Sequence, residues 1–192
     1  KNRYIYSYPM KGTIKRSVNV KQDEYLKSIL EKSPKDKAEH LMIVDLIRND
    51  LGKICKYGSI KVDNIFNIVS FETVHHMESK ISGKLRANIN EIEIFKALFP
   101  GGSITGAPKE SAMKIIDDLE NYSRELYTGA IGYIKSDGTM DFNIAIRTMI
   151  KNKKTLNYSI GGGIIWDSVS RDEWKETKTK AEILSDIIKS NE

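Results

Sequence analysis

Gly161-Gly-Gly-Ile-Ile-Trp-Asp-Ser-Val-Ser-Arg-Asp-Glu-Trp-Lys-Glu-Thr-Lys-Thr-Lys180 joins three bare glycines to a helical pattern that carries two carboxylates, and the rest of the chain is read around it. Three successive glycines weaken a strand in both order and packing, so they mark a place where something must approach the main chain closely. Exposed amide N–H groups there suit a carboxylate ligand. Ser170 with Glu173 three residues later predicts a capping box, and Trp174, Thr177, Ala181, Leu184 and Ile188 then recur at helical spacing toward a core. Glu173, Glu176 and Lys180 lie on one line beside that stripe, where solvent and core meet. On a helix that does no chemistry, Glu173 would cap and Glu176 would pair with Lys180.

Upstream, residues 129–135, 140–150 and 156–165 predict a meander with turns at Ser136-Asp-Gly138 and Lys151-Asn-Lys-Lys154. Arg147 is set in Phe142-Asn-Ile-Ala-Ile-Arg-Thr-Met-Ile150, a strand otherwise almost wholly apolar, and a guanidinium there needs an anion from the protein or from a ligand. Pro108 predicts a helix start with Ala112, Ile115, Ile116 and Leu119 inward. The glycines of Pro100-Gly-Gly-Ser-Ile-Thr-Gly-Ala-Pro108 could cradle an anion, although their spacing is neither a Walker nor a dinucleotide motif. A short helix is expected over 90–99 and strands over 59–85, where His75 and His76 must face opposite sides, one of them inward.

Ser33 followed by Pro34 predicts a helix running to Gly52, apolar nearly all round in its middle and therefore buried, with Asp45, Arg48, Asn49 and Asp50 partnering one another. Its first turns carry Asp36 and Glu39, an acid-x-x-acid pair that repeats Glu173-x-x-Glu176. Four oxygen donors without a cysteine nearby would suit Mg²⁺. Acids in a first turn also favour the helix macrodipole with no metal involved. At the start of the chain Tyr4, Tyr6 and Tyr8 alternate as in a strand that ends at Pro9-Met-Lys-Gly-Thr13, which holds the Lys11 amine near a strand terminus. A domain that begins inside a strand suggests an N-terminal portion elsewhere.

With 192 residues, 40% hydrophobic and 30% charged, the chain is long enough for one globular domain, residues 1–192, and is not a disordered tail. The longest apolar run is broken by Asp45 and no signal peptide is visible, so a cytoplasmic, non-membrane protein is expected. Cys55 stands alone, without a disulfide partner or metal-ligand spacing, and reads as a core residue. A net charge of +5 permits an anionic partner, from nucleic acid to a small dicarboxylate. The basic residues are scattered among acidic ones, so a basic nucleic-acid-binding module is the weaker alternative and no nucleic-acid partner is expected.

Pro9-Met-Lys-Gly-Thr13, Ala38-Glu-His-Leu-Met-Ile-Val-Asp-Leu-Ile-Arg-Asn-Asp50, Pro100-Gly-Gly-Ser-Ile-Thr-Gly-Ala-Pro-Lys109 and Gly161 through Lys180 together resemble the chorismate-utilising enzymes from end to end of the chain. The resemblance implies an α+β fold of two β-sheets between helical layers, of which this chain is the C-terminal part. Lys11 in the Pro-x-Lys-Gly-Thr motif is similar to the aminodeoxychorismate synthase component I subfamily, where anthranilate synthases usually carry alanine. The subfamily resemblance implies that the Lys11 amine attacks chorismate at C2 as the C4 hydroxyl leaves, and that ammonia then enters at C4 and expels the lysine. It further implies Glu39 and Glu176 as Mg²⁺ ligands with Asp36 and Glu173 beside them. Tyr127 and Arg147 would hold the enolpyruvyl carboxylate, Thr13, Gly161, Gly163 and Lys180 would surround the ring, and His76 would be the active-site histidine. A glutamine amidotransferase partner is implied, and the residue that protonates the departing hydroxyl would lie upstream of Lys11, beyond this chain.

Overall fold

A computed structural model describes residues 3–166 and 168–189, with side chains as far as residue 182. It begins with two short strands, Tyr4–Ser7 (β1) and Met10–Lys15 (β2), separated at Pro9, which has no N–H to give a ladder. The first strand ends just before Pro9, as the sequence indicates, but the chain does not then turn away from the sheet. It resumes pairing at once, so Lys11 lies inside a strand.

Helix Val20–Lys32 (α1), which the sequence pattern did not reveal, starts at Asn19, whose side chain accepts the Gln22 N–H. Its end and the next helix's start share Ser33: the Ser33 hydroxyl accepts the Asp36 N–H and Pro34 opens Pro34–Gly52 (α2). Strands Lys61–Ser70 (β3) and Val74–Lys84 (β4) form a hairpin, with its turn at Phe71–Thr73 inside a run that reads as continuous strand. The long β4 is the centre of the sheet, with β3 along one side and β1 and β2 in succession along the other, all antiparallel.

Alternation along β4 buries His75, Met77, Ser79 and Ile81, while α1 and α2 pack on the sheet. The core joins Val44 and Leu51 of α2 to Ile54, Cys55, Ile81, Leu85 and Ile89, and to Ala97 of helix Glu91–Leu98 (α3), which a capping box between Asn90 and Glu93 starts. Helix α2 is buried only on one side; Leu41 and Met42 are exposed because the sheet covers one face alone. Of its late polar residues, Arg48 pairs with Asp45, whereas buried Asp50 takes Lys53 and Lys109 at 2.8 Å each. The glycine-rich segment before Pro108 forms a helical turn of its own, Gly102–Thr105 (α4), packed on α2. Helix Lys109–Leu119 (α5) follows.

These elements up to Lys109 form one compact unit, and Glu110–Glu192 forms a second. In the second, the expected meander is two separate hairpins. Ala130–Ile134 (β5) pairs with Met140–Ile144 (β6), and Met149–Asn152 (β7) with Thr155–Tyr158 (β8). The predicted strand over 140–150 breaks because Arg147 adopts a left-handed conformation, φ +53°. Residues 161–165 are likewise not a strand; the chain leaves β8 at Tyr158 and passes irregularly to helix Ser170–Lys189 (α6). Helix α5 buries none of its residues; Ile115 and Leu119 of the predicted inward stripe are exposed. Leu184 and Ile188 of the α6 stripe lie outside the described side chains. The described residues are thus α+β, and among them no helix is long and apolar enough to cross a membrane.

Candidate active site

Each unit gathers part of the predicted set. In the first, β2 carries a bulge: Lys11 stands opposite Met77 and Thr13 opposite His76, with Gly12 the extra residue at φ +79°. A Cβ on Gly12 would stand 3.1 Å from Asp36 Oδ1 and 3.0 Å from Leu30 Cδ1, so the missing side chain lets β2 lie against the first turn of α2. Lys11 is half-buried. Thr13 Oγ1 and His76 Nδ1 share a hydrogen bond of 2.8 Å, and the Phe71 ring meets the His76 ring edge-on. Thr13 and His76 are therefore neighbours and Gly12 lies against Asp36, while Lys11 stands across from buried Met77. Glu39, one turn past Asp36, has the Lys35 ammonium at 4.0 Å.

Behind this surface stand two buried histidines. His40 Nε2 meets the Ser79 hydroxyl at 2.7 Å, its Nδ1 has no partner among the described residues, and burial pushes its pKa down, so it is neutral. His75 is the inward member of the adjacent pair, bonded to Ser70 Oγ and to Asp23 Oδ1. Asp23 also accepts from Arg16 and from the Ser17 N–H, and these hydrogen bonds hold its carboxyl well below the usual carboxylate range. Arg16 in turn donates to the Phe71 carbonyl. Asp23 thus fixes the turn whose ring walls His76. Sequence reading missed Asp23 and Arg16 because nothing in their spacing distinguishes them from surface charges.

In the second unit the predicted residues converge. Lys180 Nζ bridges Glu176 Oε1 at 2.5 Å and the Gly161 carbonyl at 3.1 Å, and Arg147 Nη1 donates to the Lys180 carbonyl at 3.4 Å. A Cβ on Gly161 would lie 2.7 Å from the Tyr127 hydroxyl, so bare backbone is what admits the phenol. Burial raises the Tyr127 pKa, which keeps it a hydrogen-bond donor at neutral pH. In place of the predicted Ser170–Glu173 capping box, Ser170 already lies in the helix, the Glu173 N–H bonds to the Val169 carbonyl, and Glu173 Oε1 accepts from the Ser168 hydroxyl, whose oxygen accepts the Ile165 N–H. Glu173 Oε2 faces Gly162, 3.3 Å from where a side chain would begin, while Gly163 has open space beside it.

The arrangement gathers a phenol, a guanidinium and an ammonium around main chain stripped of side chains, groups that suit an anion, with Glu176 holding the ammonium and Glu173 beside Gly162. Each unit by itself offers hard oxygen donors of the kind a hard cation takes, a pair of carboxylates one turn apart on α2 in the first and on α6 in the second, with no sulfur or imidazole in either pair. Among the described residues these carboxylates do not form a ready cluster of three. Glu173 and Glu176 instead hold Ser168 and Lys180.

Residues 1–186 match the family described as chorismate binding enzyme. The chain is 46% identical over 183 residues to an aminodeoxychorismate synthase of Arabidopsis thaliana, covering 94% of this chain and 20% of the relative. It is 44% identical over 184 residues to an anthranilate synthase component 1 of Saccharolobus solfataricus, covering 96% and 44%. Among solved structures it resembles anthranilate synthase component I from Streptococcus pneumoniae, with a TM-score of 0.80 and 35% identity over 95% of this chain and 40% of that one. The chain spans less than half the length of these relatives.

Proposed function

The chain belongs to the chorismate binding enzyme family, and from that premise we propose that it is the C-terminal part of an aminodeoxychorismate synthase component I, which makes 4-amino-4-deoxychorismate from chorismate and ammonia. Relatives named for this activity and for anthranilate synthesis are equally similar, so the choice rests on one observation. That observation is Lys11, a half-buried amine on a bulged strand whose following residue, Gly12, lies against the Asp36 carboxylate.

Attack uses the free-base amine: Lys11 Nζ bonds to C2 as the C4 hydroxyl leaves with a proton, and ammonia then bonds to C4 as the Lys11–C2 bond breaks. Tyr127 and Arg147 hold the enolpyruvyl carboxylate, and Thr13, Gly161, Gly163 and Lys180 line the ring. His76, which Thr13 and Phe71 fix, is the active-site histidine of this reading and would hold or move a proton. Glu39 and Glu176 would hold Mg²⁺, with Asp36 and Glu173 beside them, and the ion would neutralise the ring carboxylate. The group that protonates the leaving hydroxyl belongs to the remainder of the domain, and ammonia comes from a glutamine amidotransferase partner. The exposed apolar faces of α5 and of the β5–β6 hairpin support that division of the domain.

The test is mass spectrometry of products from the full-length protein with chorismate, Mg²⁺ and ammonium. Wild type should yield aminodeoxychorismate and Lys11→Ala roughly a thousandfold less or none. Anthranilate and pyruvate from both proteins would make Lys11 a bystander and the protein an anthranilate synthase.

A further inference from the structure

The segment joining α5 to β5 holds an ion pair to which the reaction above gives no task. Glu120, still hydrogen-bonded through its N–H to Ile116, accepts Arg124 Nε and Nη2 at 2.7 and 2.6 Å, a two-point fork with both side chains about three-quarters buried. From Arg124 the chain turns twice: the Tyr127 N–H reaches the Arg124 carbonyl and the Gly129 N–H the Leu126 carbonyl. Glu125 and Thr128 take left-handed conformations, φ +48° and +65°, each strained for a residue with a Cβ. Such backbone persists only where its surroundings fix it.

Here the surroundings are Arg124. Its guanidinium carbon stands 5.9 Å from the centre of the Tyr127 ring, and its Nη1 reaches Thr128 Oγ1 at 3.5 Å. The Thr128 N–H bonds to the Ala145 carbonyl, and the Ala145 N–H to that of Gly129, which ties the turn to the backbone two residues before Arg147. Glu120 therefore orients Arg124, Arg124 supports the ring of Tyr127, and the phenol meets Gly161.

We propose that Glu120 and Arg124 are positioning residues for Tyr127, setting its hydroxyl against Gly161 where the enolpyruvyl carboxylate enters; this rests on the assignment of Tyr127 to that carboxylate. Neither residue touches substrate. A helix-end ion pair that merely stabilised the fold would weaken folding when removed and leave chorismate affinity alone.

Steady-state kinetics of the full-length protein with chorismate, Mg²⁺ and ammonium separate the two roles. Arg124→Lys keeps the charge but loses the planar fork, and Glu120→Gln leaves the fork half-held. Each should raise KM for chorismate roughly tenfold with kcat within about twofold of wild type. Combined with Tyr127→Phe, neither should add to the loss that Tyr127→Phe produces alone. The reversed pair, Glu120→Arg with Arg124→Glu, retains an ion pair for folding while taking the guanidinium away from Tyr127, and it too should show the raised KM. Wild-type KM in the reversed pair, or effects that add to Tyr127→Phe, would overturn the positioning role and leave Tyr127 on the substrate. An unchanged KM in Tyr127→Phe itself would overturn the assignment of Tyr127 and the positioning role with it.

Discussion

The unit ending at Lys109 and the unit that follows it are built on opposite terms. The first closes around apolar side chains from three helices and a sheet, with Leu51, Met77 and Ile81 entirely inaccessible. In the second, Ala145 is the one buried hydrophobic among the described residues, while Ile131, Tyr133, Ile134, Phe142 and Leu119 stand exposed. What fixes the second unit is polar: the Glu120–Arg124 fork, the Lys180 bridge from Glu176 to Gly161, and the Ser168–Glu173 bond. The first unit carries its own hydrophobic driving force. The second carries Tyr127, Arg147 and Lys180 on a frame that hydrogen bonds hold in register.

The contrast breaks first at Leu51. Burying a leucine side chain is worth about 1.5–3 kcal/mol of transfer, and truncating it leaves a cavity besides. Leu51→Ala should lower the unfolding free energy of the first unit by about 3–4 kcal/mol, measured by urea denaturation followed by far-ultraviolet circular dichroism. A loss below about 1 kcal/mol would mean that the cluster of Val44, Ile54, Ile81 and Leu85 does not hold the unit together.

A smaller effect, with a pH signature, is expected at Asp23. Its carboxyl titrates lower in the folded chain than in the unfolded one because Arg16, Ser17 and His75 donate to the charged form. The unfolded state therefore binds the proton more readily, and stability rises with pH through the region between the two values. The contribution is complete above the ordinary carboxylate range and is lost as pH falls below about 4 toward the folded value. Asp23→Asn should melt at a lower temperature than wild type at pH 7, and the gap should narrow below pH 4. A gap independent of pH would assign Asp23 a packing role instead. Since Arg16 also holds the Phe71 carbonyl, the variant should loosen the wall beside His76.

How far these features could be read in advance depended on whether they were local. Ser33-Pro34 and Asn90 with Glu93 specify helix starts within four residues, and those helices begin where their caps are. Helical spacing alone gave the Glu176–Lys180 pair, whereas the grouping of Tyr127, Arg147 and Gly161 with it was legible only through motif resemblance, and the second unit brings them together. The bulge at Gly12 was illegible because Pro9 followed by glycine reads as a turn; only the partner strand β4 makes it a continuation. The break at Arg147 was hidden in an apolar run, since strand propensity does not register one left-handed residue. Helix α1 escaped because its apolar face is narrow, and Asp23 owes its burial to Arg16, Ser17 and His75, of which the last is distant in sequence.

The smallest expected effect tests the second unit directly. Ile131 lies on β5 opposite Asn143, about half exposed, with Tyr133 and Ile134 exposed beside it. Ile131→Thr keeps the β-branched shape that suits a strand and removes only apolar surface, so propensity is held nearly constant. In the 192-residue chain it should change stability by no more than about 0.5 kcal/mol, as at an ordinary surface position. If the remainder of the domain covers this face, as proposed, the same substitution in the full-length protein should cost about 1–2 kcal/mol, because a hydroxyl then replaces a methyl in a buried contact. Equal, negligible effects in both would leave the hairpin bare in the whole protein and remove one support for the division of the domain. A large effect already in the short chain, with a melting temperature that rises with protein concentration, would mean that copies of the chain cover the face for one another. The contrast between the units would then hold for a single copy but not for the associated state.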